Sequence, residues 1–114
     1  MSTIFSKIIN KEIPAEIVFE SENILAFKDI NPQAPVHILI IPKIEIPKVT
    51  DLNGKEHAAL LGEMTDAANK LAKDMGIAEE GFRLVFNCGD NGGQDVYHLH
   101  LHLLGGRQMK WPPG

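Results

Sequence analysis

The sequence predicts an α+β domain, and three features carry that prediction. Five short apolar segments have the length and composition of strands. One long stretch near the middle switches to helical periodicity, and the last strand alternates histidine with leucine from His98 to Leu104. A chain of 114 residues suffices for one core, so a single domain spanning 1–114 is expected.

A short helix is expected over Ile4–Asn10, capped by Ser2 or Thr3, with Ile4, Phe5, Ile8 and Ile9 on one face. Pro14 ends that unit. Ile17–Glu20 and Ile24–Asp29 read as a hairpin turned by Ser21-Glu22-Asn23. The segment Asp29–Pro35 is a loop whose two prolines hold it extended. Val36–Ile41 is the most apolar strand, closed by Pro42, and its one polar residue, His37, stands in line with Leu39 and Ile41. A buried imidazole there needs a partner, and the histidine-rich strand is the obvious supplier. Ile44–Val49, interrupted by Pro47, is irregular.

From Asn53 to Met75 the apolar positions Leu60, Leu61, Met64, Ala67, Ala68, Leu71 and Met75 form one helical stripe. Asn53 with Glu56 has the form of a capping box, and Gly76 suits the C-terminal stop. His57 falls in the first turn and reads as a solvated or packing residue. Phe82–Asn87 is a further strand. The glycine-rich loop Cys88–Asp95 follows, able to turn backbone N–H groups toward an anion, and then comes the histidine strand. The tail Gly105–Gly114 is too rich in glycine and proline for regular structure, and its Trp111 is expected to pack on a partner surface.

On a strand with period two, His98, His100 and His102 project to one side and Leu99, Leu101 and Leu103 to the other. A row of imidazoles can bind a metal or perform acid–base and nucleophilic chemistry. At about 3.3 Å per residue, His98 and His102 begin about 13 Å apart and converge poorly on one ion. Cys88 is the only cysteine, so no cysteine pair completes a zinc site, and no metal or other cofactor is expected. Neutral imidazole can attack phosphorus while a neighbour handles the proton that the leaving group needs, which makes phosphoryl chemistry the preferred reading.

Composition narrows the partners. A hydrophobic fraction of 44% with 23% charged residues is that of an ordinary soluble globular protein. The net charge of −4 argues against general nucleic-acid or anionic-membrane binding, so a phosphate must be held by local donors. One cysteine allows no internal disulfide. With neither a secretory signal nor a membrane-length apolar run, the expected compartment is the cytoplasm.

Several segments together resemble the histidine triad (HIT) family, in its nucleotide-binding branch. They are the His98–Leu104 motif, Asp29–His37, the opening Ile4–Ile9, the Gly92-Gly93-Gln94 loop and the Gly105–Gly114 tail. The resemblance implies a five-stranded antiparallel sheet with one long and one short helix, joined across a homodimer into ten strands. It implies hydrolysis of the P–N bond of purine nucleoside 5′-phosphoramidates through a nucleotidyl-histidine formed on His100. It further implies that His98 and His37 orient the nucleophile and that His102 contacts the phosphate and assists proton transfer. Asn87 matches a phosphate-site residue, and Gly93 and Asp95 match backbone donors. Asp29 matches the ribose carboxylate, Ile8, Phe27 and Ile30 the base pocket, and Trp111 a residue reaching toward the neighbouring subunit's site. Two residues depart from the family pattern: Asp95 stands where serine is common near the phosphate, and Glu45 where histidine is often found. Competing readings are hydrolysis of dinucleoside polyphosphates or nucleotidyl transfer, against which the tail argues, and a non-catalytic nucleotide- or zinc-binding regulator.

Overall fold

Thr3 starts the first element. Its hydroxyl accepts from the backbone of Phe5 (3.2 Å) and Ser6 (3.3 Å), while the Ser6 hydroxyl accepts from the Thr3 backbone (3.1 Å). This reciprocal cap satisfies N–H groups that a six-residue helix would otherwise leave open. The computed structural model describes residues 2–114. Its elements are α1 (Ile4–Ile9), β1 (Ile17–Glu20), β2 (Ile24–Lys28), β3 (Val36–Pro42), a 3₁₀ turn (Val49–Asp51), α2 (Ala58–Asp74), β4 (Phe82–Val85) and β5 (Leu101–Gly105).

The strands form one antiparallel sheet in the order β1-β2-β3-β5-β4, as the α+β reading requires. Because side chains alternate, the central strands feed two different clusters. Ile24, Ala26, Ile38, Ile40, Leu101 and Leu103 face α2 and bury its stripe of Met64, Ala67, Ala68, Leu71 and Ala72. Leu25, Phe27, Leu39 and Ile41 face the other way, where α1 covers them with Phe5 and Ile8, helped by Ile13, Ala15 and Val96 from the loops.

Three expected boundaries move by two residues or more. The long helix begins at Ala58 instead of Asn53. The Asn53 side chain does accept from the backbone of Lys55 (2.9 Å) and Glu56 (3.0 Å), but these bonds close a separate turn that Asn53 and His57 finish by exchanging bonds. His57 is therefore the residue before the helix, not a member of its first turn. At the other end Gly76, at φ +74°, supplies the left-handed step that stops the helix.

The histidine strand begins at Leu101 instead of His98, and β4 ends at Val85 instead of Asn87. Leu99 N–H bonds to the Ile46 carbonyl (2.6 Å) and the His98 ring to the Pro42 carbonyl (2.7 Å). Residues 98–100 thus leave the ladder and are held by the last residue of β3 and the segment that follows it. The alternation survives: Leu99, Leu101 and Leu103 all lie in the cluster facing α2. Among the described residues, no helix is long and apolar enough to cross a membrane.

Candidate active site

The register between β3 and β5 builds the site. His37 pairs with Leu104 and Leu39 with His102, so the two imidazoles are diagonal neighbours on one face, and His37 Nε2 meets His102 Nδ1 at 2.9 Å. The Gln33 backbone N–H donates to His37 Nδ1 (3.0 Å), so the neutral His37 ring carries its proton on Nε2. That proton is donated to His102 Nδ1, which places the proton of neutral His102 on Nε2. His102 Nε2 is buried and has no partner, a donor left over at the end of a fixed chain.

His98 and His100 are oriented by carbonyls, which only accept. His98 donates from Nε2 to Pro42, and His100 donates from Nδ1 to the His98 carbonyl (2.8 Å). In the neutral His100 ring the lone pair is therefore on Nε2. The Phe5 ring meets the His100 ring edge-on with centroids 5.0 Å apart, and His102 lies 4.9 Å from His100 on its other side. These three rings converge on a cleft of about 430 Å³.

Burial pushes the His37, His98 and His102 imidazoles below their ordinary range. His102 falls furthest, to about 4, because burial is joined by the neighbouring His100 and His37, against the opposing pull of Asp29 and Asp95. A second proton on His102 would also have to point at the Nε2 proton of His37. Near neutral pH, His102 is a neutral hydrogen-bond donor.

Most of the expected site residues meet here. Ile8, Phe27, Asp29, Ile30, Asp95, His100 and His102 all line the cleft. Ile8 and Phe27 are buried in its floor, whereas Ile30 is 93% exposed at its rim. Asp29 accepts from the Asn31 backbone (2.8 Å) and brings its other oxygen to 3.5 Å from His37 Nε2. Asp29, His37 and His102 offer three ligand atoms within 4.8 Å of one another, the one trio among the described residues with metal-binding geometry. His37 and His102 spend that proximity on a direct hydrogen bond, which an ion would have to break.

Others are placed elsewhere. His37 bonds to His102 and does not itself line the cleft, and His98 meets His100 through its carbonyl. Asn87 lies past the end of β4, off the cleft wall, and Gly93 is off it as well. The Gly93 N–H donates to the Asp90 carbonyl (3.0 Å), so the glycine loop spends that donor on its own turn. Trp111 is 82% exposed on this chain. Gln94, marked in the sequence only as part of the Gly92-Gly93-Gln94 loop, has a role that the sequence does not foretell. It is 7% exposed and ties the loop together, donating to Pro47 (2.8 Å) and Val96 (3.1 Å) and accepting from Gly89 N–H (3.1 Å). A Cβ at Gly92 would collide with the Cys88 carbonyl, which is why the loop can close this tightly only with glycine there.

Comparison with known proteins agrees with this geometry. Residues 10–109 match the model of the HIT domain. The chain is 56% identical over 107 residues to the purine nucleoside phosphoramidase of Escherichia coli, covering 94% of this chain and 89% of that protein. It is 55% identical over 114 residues to adenylylsulfatase HINT1 of Arabidopsis thaliana, covering 98% of this chain and 76% of that one. The crystal structure of a HIT family hydrolase from Legionella pneumophila superposes with a TM-score of 0.96 at 57% identity, covering 99% of this chain and all of that one. With its three histidines set as described, and with a family match along nearly its whole length, the chain belongs to the HIT domain family.

Proposed function

We propose that this protein is a hydrolase of purine nucleoside 5′-phosphoramidates, with His100 as the nucleophile. The observation that carries the reading is the pairing of an Nε2 lone pair on His100 with an unpartnered Nε2–H on His102 in one cleft. Support also comes from the name of the Escherichia coli relative. Ile8 and Phe27 form an apolar wall suited to a purine, Ile30 flanks it, and Asp29 is available to the ribose hydroxyls.

In this mechanism His100 Nε2 forms a bond to phosphorus as the P–N bond breaks, and the bonding pair leaves with the nitrogen. His102 Nε2–H holds a phosphoryl oxygen through the displacement. The departing nitrogen must leave as a neutral amine. Because His102 resists a second proton, that proton travels on the substrate nitrogen itself, supplied by solvent in the open cleft. Water then attacks phosphorus and releases a proton to solvent, and the P–Nε2 bond breaks with its pair returned to His100. Splitting one displacement into two lets the same ring both attack and leave. His37 and Gln33 fix the tautomer of His102, and the His98 carbonyl fixes that of His100.

The test is incubation with adenosine 5′-phosphoramidate, following release of AMP and ammonia, with acid-free quench and peptide mapping for an adenylyl group. Turnover with the label on His100 is the expected result. Turnover with no label on any quenched peptide would point instead to direct attack by water. Homodimerisation belongs to the same reading: β4 is a sheet edge with Leu84 exposed, and Trp111 stands free to reach a second chain. A sedimentation mass of one chain at assay concentration would remove that part. The second reading, favoured by the name of the Arabidopsis relative, keeps the attack by His100 but expels sulfate in place of an amine.

A further inference from the structure

The cleft handles phosphate without a cation. Its described lining residues include two carboxylates, Asp29 and Asp95, and no lysine or arginine. His102, at about 4, brings no positive charge near neutral pH. Asp29 is turned inward, bonded to the Asn31 backbone and close to His37. Asp95 is different. Its Oδ1 lies 3.7 Å from the Nε2 of His100, and its side chain is 82% exposed at the mouth of the cleft. Attack requires phosphorus at about 3–3.5 Å from Nε2, so no atom bonded to that phosphorus is more than about 9 Å from Asp95. That is within the reach of a charge in physiological salt, which is about 8 to 10 Å.

We propose that Asp95 selects substrates by the charge of the leaving group: nucleoside phosphoramidates of cationic amines are preferred, and those with anionic leaving groups are rejected. The proposal rests on the phosphoramidate reading and deepens it. A carboxylate here attracts a positive group carried by the amine and also the proton that the departing nitrogen needs. It repels a carboxylate, a sulfate or a further phosphate on the same side. Each such substrate brings its nucleoside phosphate equally, so the effect is read in the leaving group alone. It separates the amine and sulfate readings on electrostatic grounds.

Three AMP conjugates of primary alkylamines of equal length test this, ending in an ammonium, a methyl and a carboxylate; adenosine 5′-phosphosulfate is a fourth probe. The measurement is kcat/KM for each, at low and high salt, in the full-length protein, Asp95→Asn and Asp95→Ser. The wild type is expected to favour the ammonium conjugate over the carboxylate one by roughly tenfold at low salt, as an exposed charge acting at this range allows. Both variants and high salt should shrink that ratio to about twofold. Phosphosulfate should be the poorest substrate of the wild type and gain most in the variants. An ammonium-to-carboxylate ratio that is the same in wild type and both variants overturns the proposal while leaving phosphoramidate hydrolysis standing. Absence of turnover of any amine conjugate by the wild type overturns the hydrolase reading and this inference with it. Asp95 is exposed, so loss of fold in the asparagine variant is not expected; the serine variant gives the same readout independently.

Discussion

The two faces of the sheet are built from the same strands and serve opposite ends. Toward α2, alternate residues of β2, β3 and β5 meet a 17-residue helix that covers them completely; Ile24, Ile38, Ile40 and Leu103 are at most 1% exposed. Toward α1, a six-residue helix covers only part of the face, and the uncovered part is the histidine cleft. The first face is apolar throughout, so its contribution is burial and close packing. The second buries His37, His98 and His100 at 6% exposure or less, each paired to a group that fixes its tautomer. A short helix therefore gives up coverage on one side in exchange for a site, and the long helix on the other side supplies the stability that permits it.

The largest effect expected from this division is on the cleft side. His100→Ala should lower kcat for a phosphoramidate by at least about 10³-fold, since the variant lacks the proposed nucleophile, while circular dichroism stays that of the wild type. Turnover within tenfold of wild type would remove His100 from the chemistry. The counterpart across the sheet is Leu103→Ala, at 0% exposure. It should cost about 2–5 kcal/mol in chemical denaturation and leave kcat per folded molecule within a few-fold. A large fall in kcat there would mean that the two faces are not separable.

How far this division could be read in the sequence differs from element to element. β1 falls on Ile17–Glu20 as expected, because Ser21-Glu22-Asn23 marks the turn locally. The alternation of histidine and leucine forecast both faces, and the lone polar residue of β3 forecast a partner on the histidine strand, which the structure gives as His102. The start of the histidine strand was not legible. Whether residues 98–100 join the ladder depends on Pro42 and Ile46, more than fifty residues away in sequence. The start of α2 was misread because Asn53 gives a true capping signal that a preceding turn consumes. Gln94 is visible only as part of the Gly92-Gly93-Gln94 loop; its bracing role is not, since a glutamine after glycines has the signature of a solvated loop until its three partners are in place. Nor is the internal bond of the loop legible: the Gly93 N–H, expected to face an anion, donates to the Asp90 carbonyl across its own turn.

Acid should act on one face and not the other. The His37, His98 and His102 imidazoles are held below their ordinary value of 6.5, and the face toward α2 has no titratable member in its buried cluster. Where the unfolded chain binds protons that the native one refuses, stability rises with pH. The contribution is therefore present in full above about pH 6.5 and is lost as pH falls toward 4, the value for His102. Denaturation midpoints measured from pH 7 to pH 4 should show the loss, with a shallower slope in His102→Asn. Equal slopes in the two proteins would mean that His102 is as readily protonated in the cleft as in the unfolded chain.

The smallest effect concerns the short helix itself. α1 sets Phe5 against both Phe27, with ring centroids 5.4 Å apart, and the His100 ring, so its cap positions a wall of the site. Thr3→Ala removes the hydroxyl that accepts from Phe5 and Ser6 and should cost about 1 kcal/mol. Because the frayed turn carries Phe5, kcat/KM should fall a few-fold, and Thr3→Ser should restore both quantities. The matched change on the other side of the sheet is Thr65→Ala, where an exposed hydroxyl donates to the Leu61 carbonyl within α2. That change should stay within about 0.5 kcal/mol and leave kcat/KM unaltered, as an exposed position far from the cleft requires. If Thr3→Ala lowered stability but left kcat/KM equal to that of Thr65→Ala, α1 would be a cover for the apolar floor and not a support for His100.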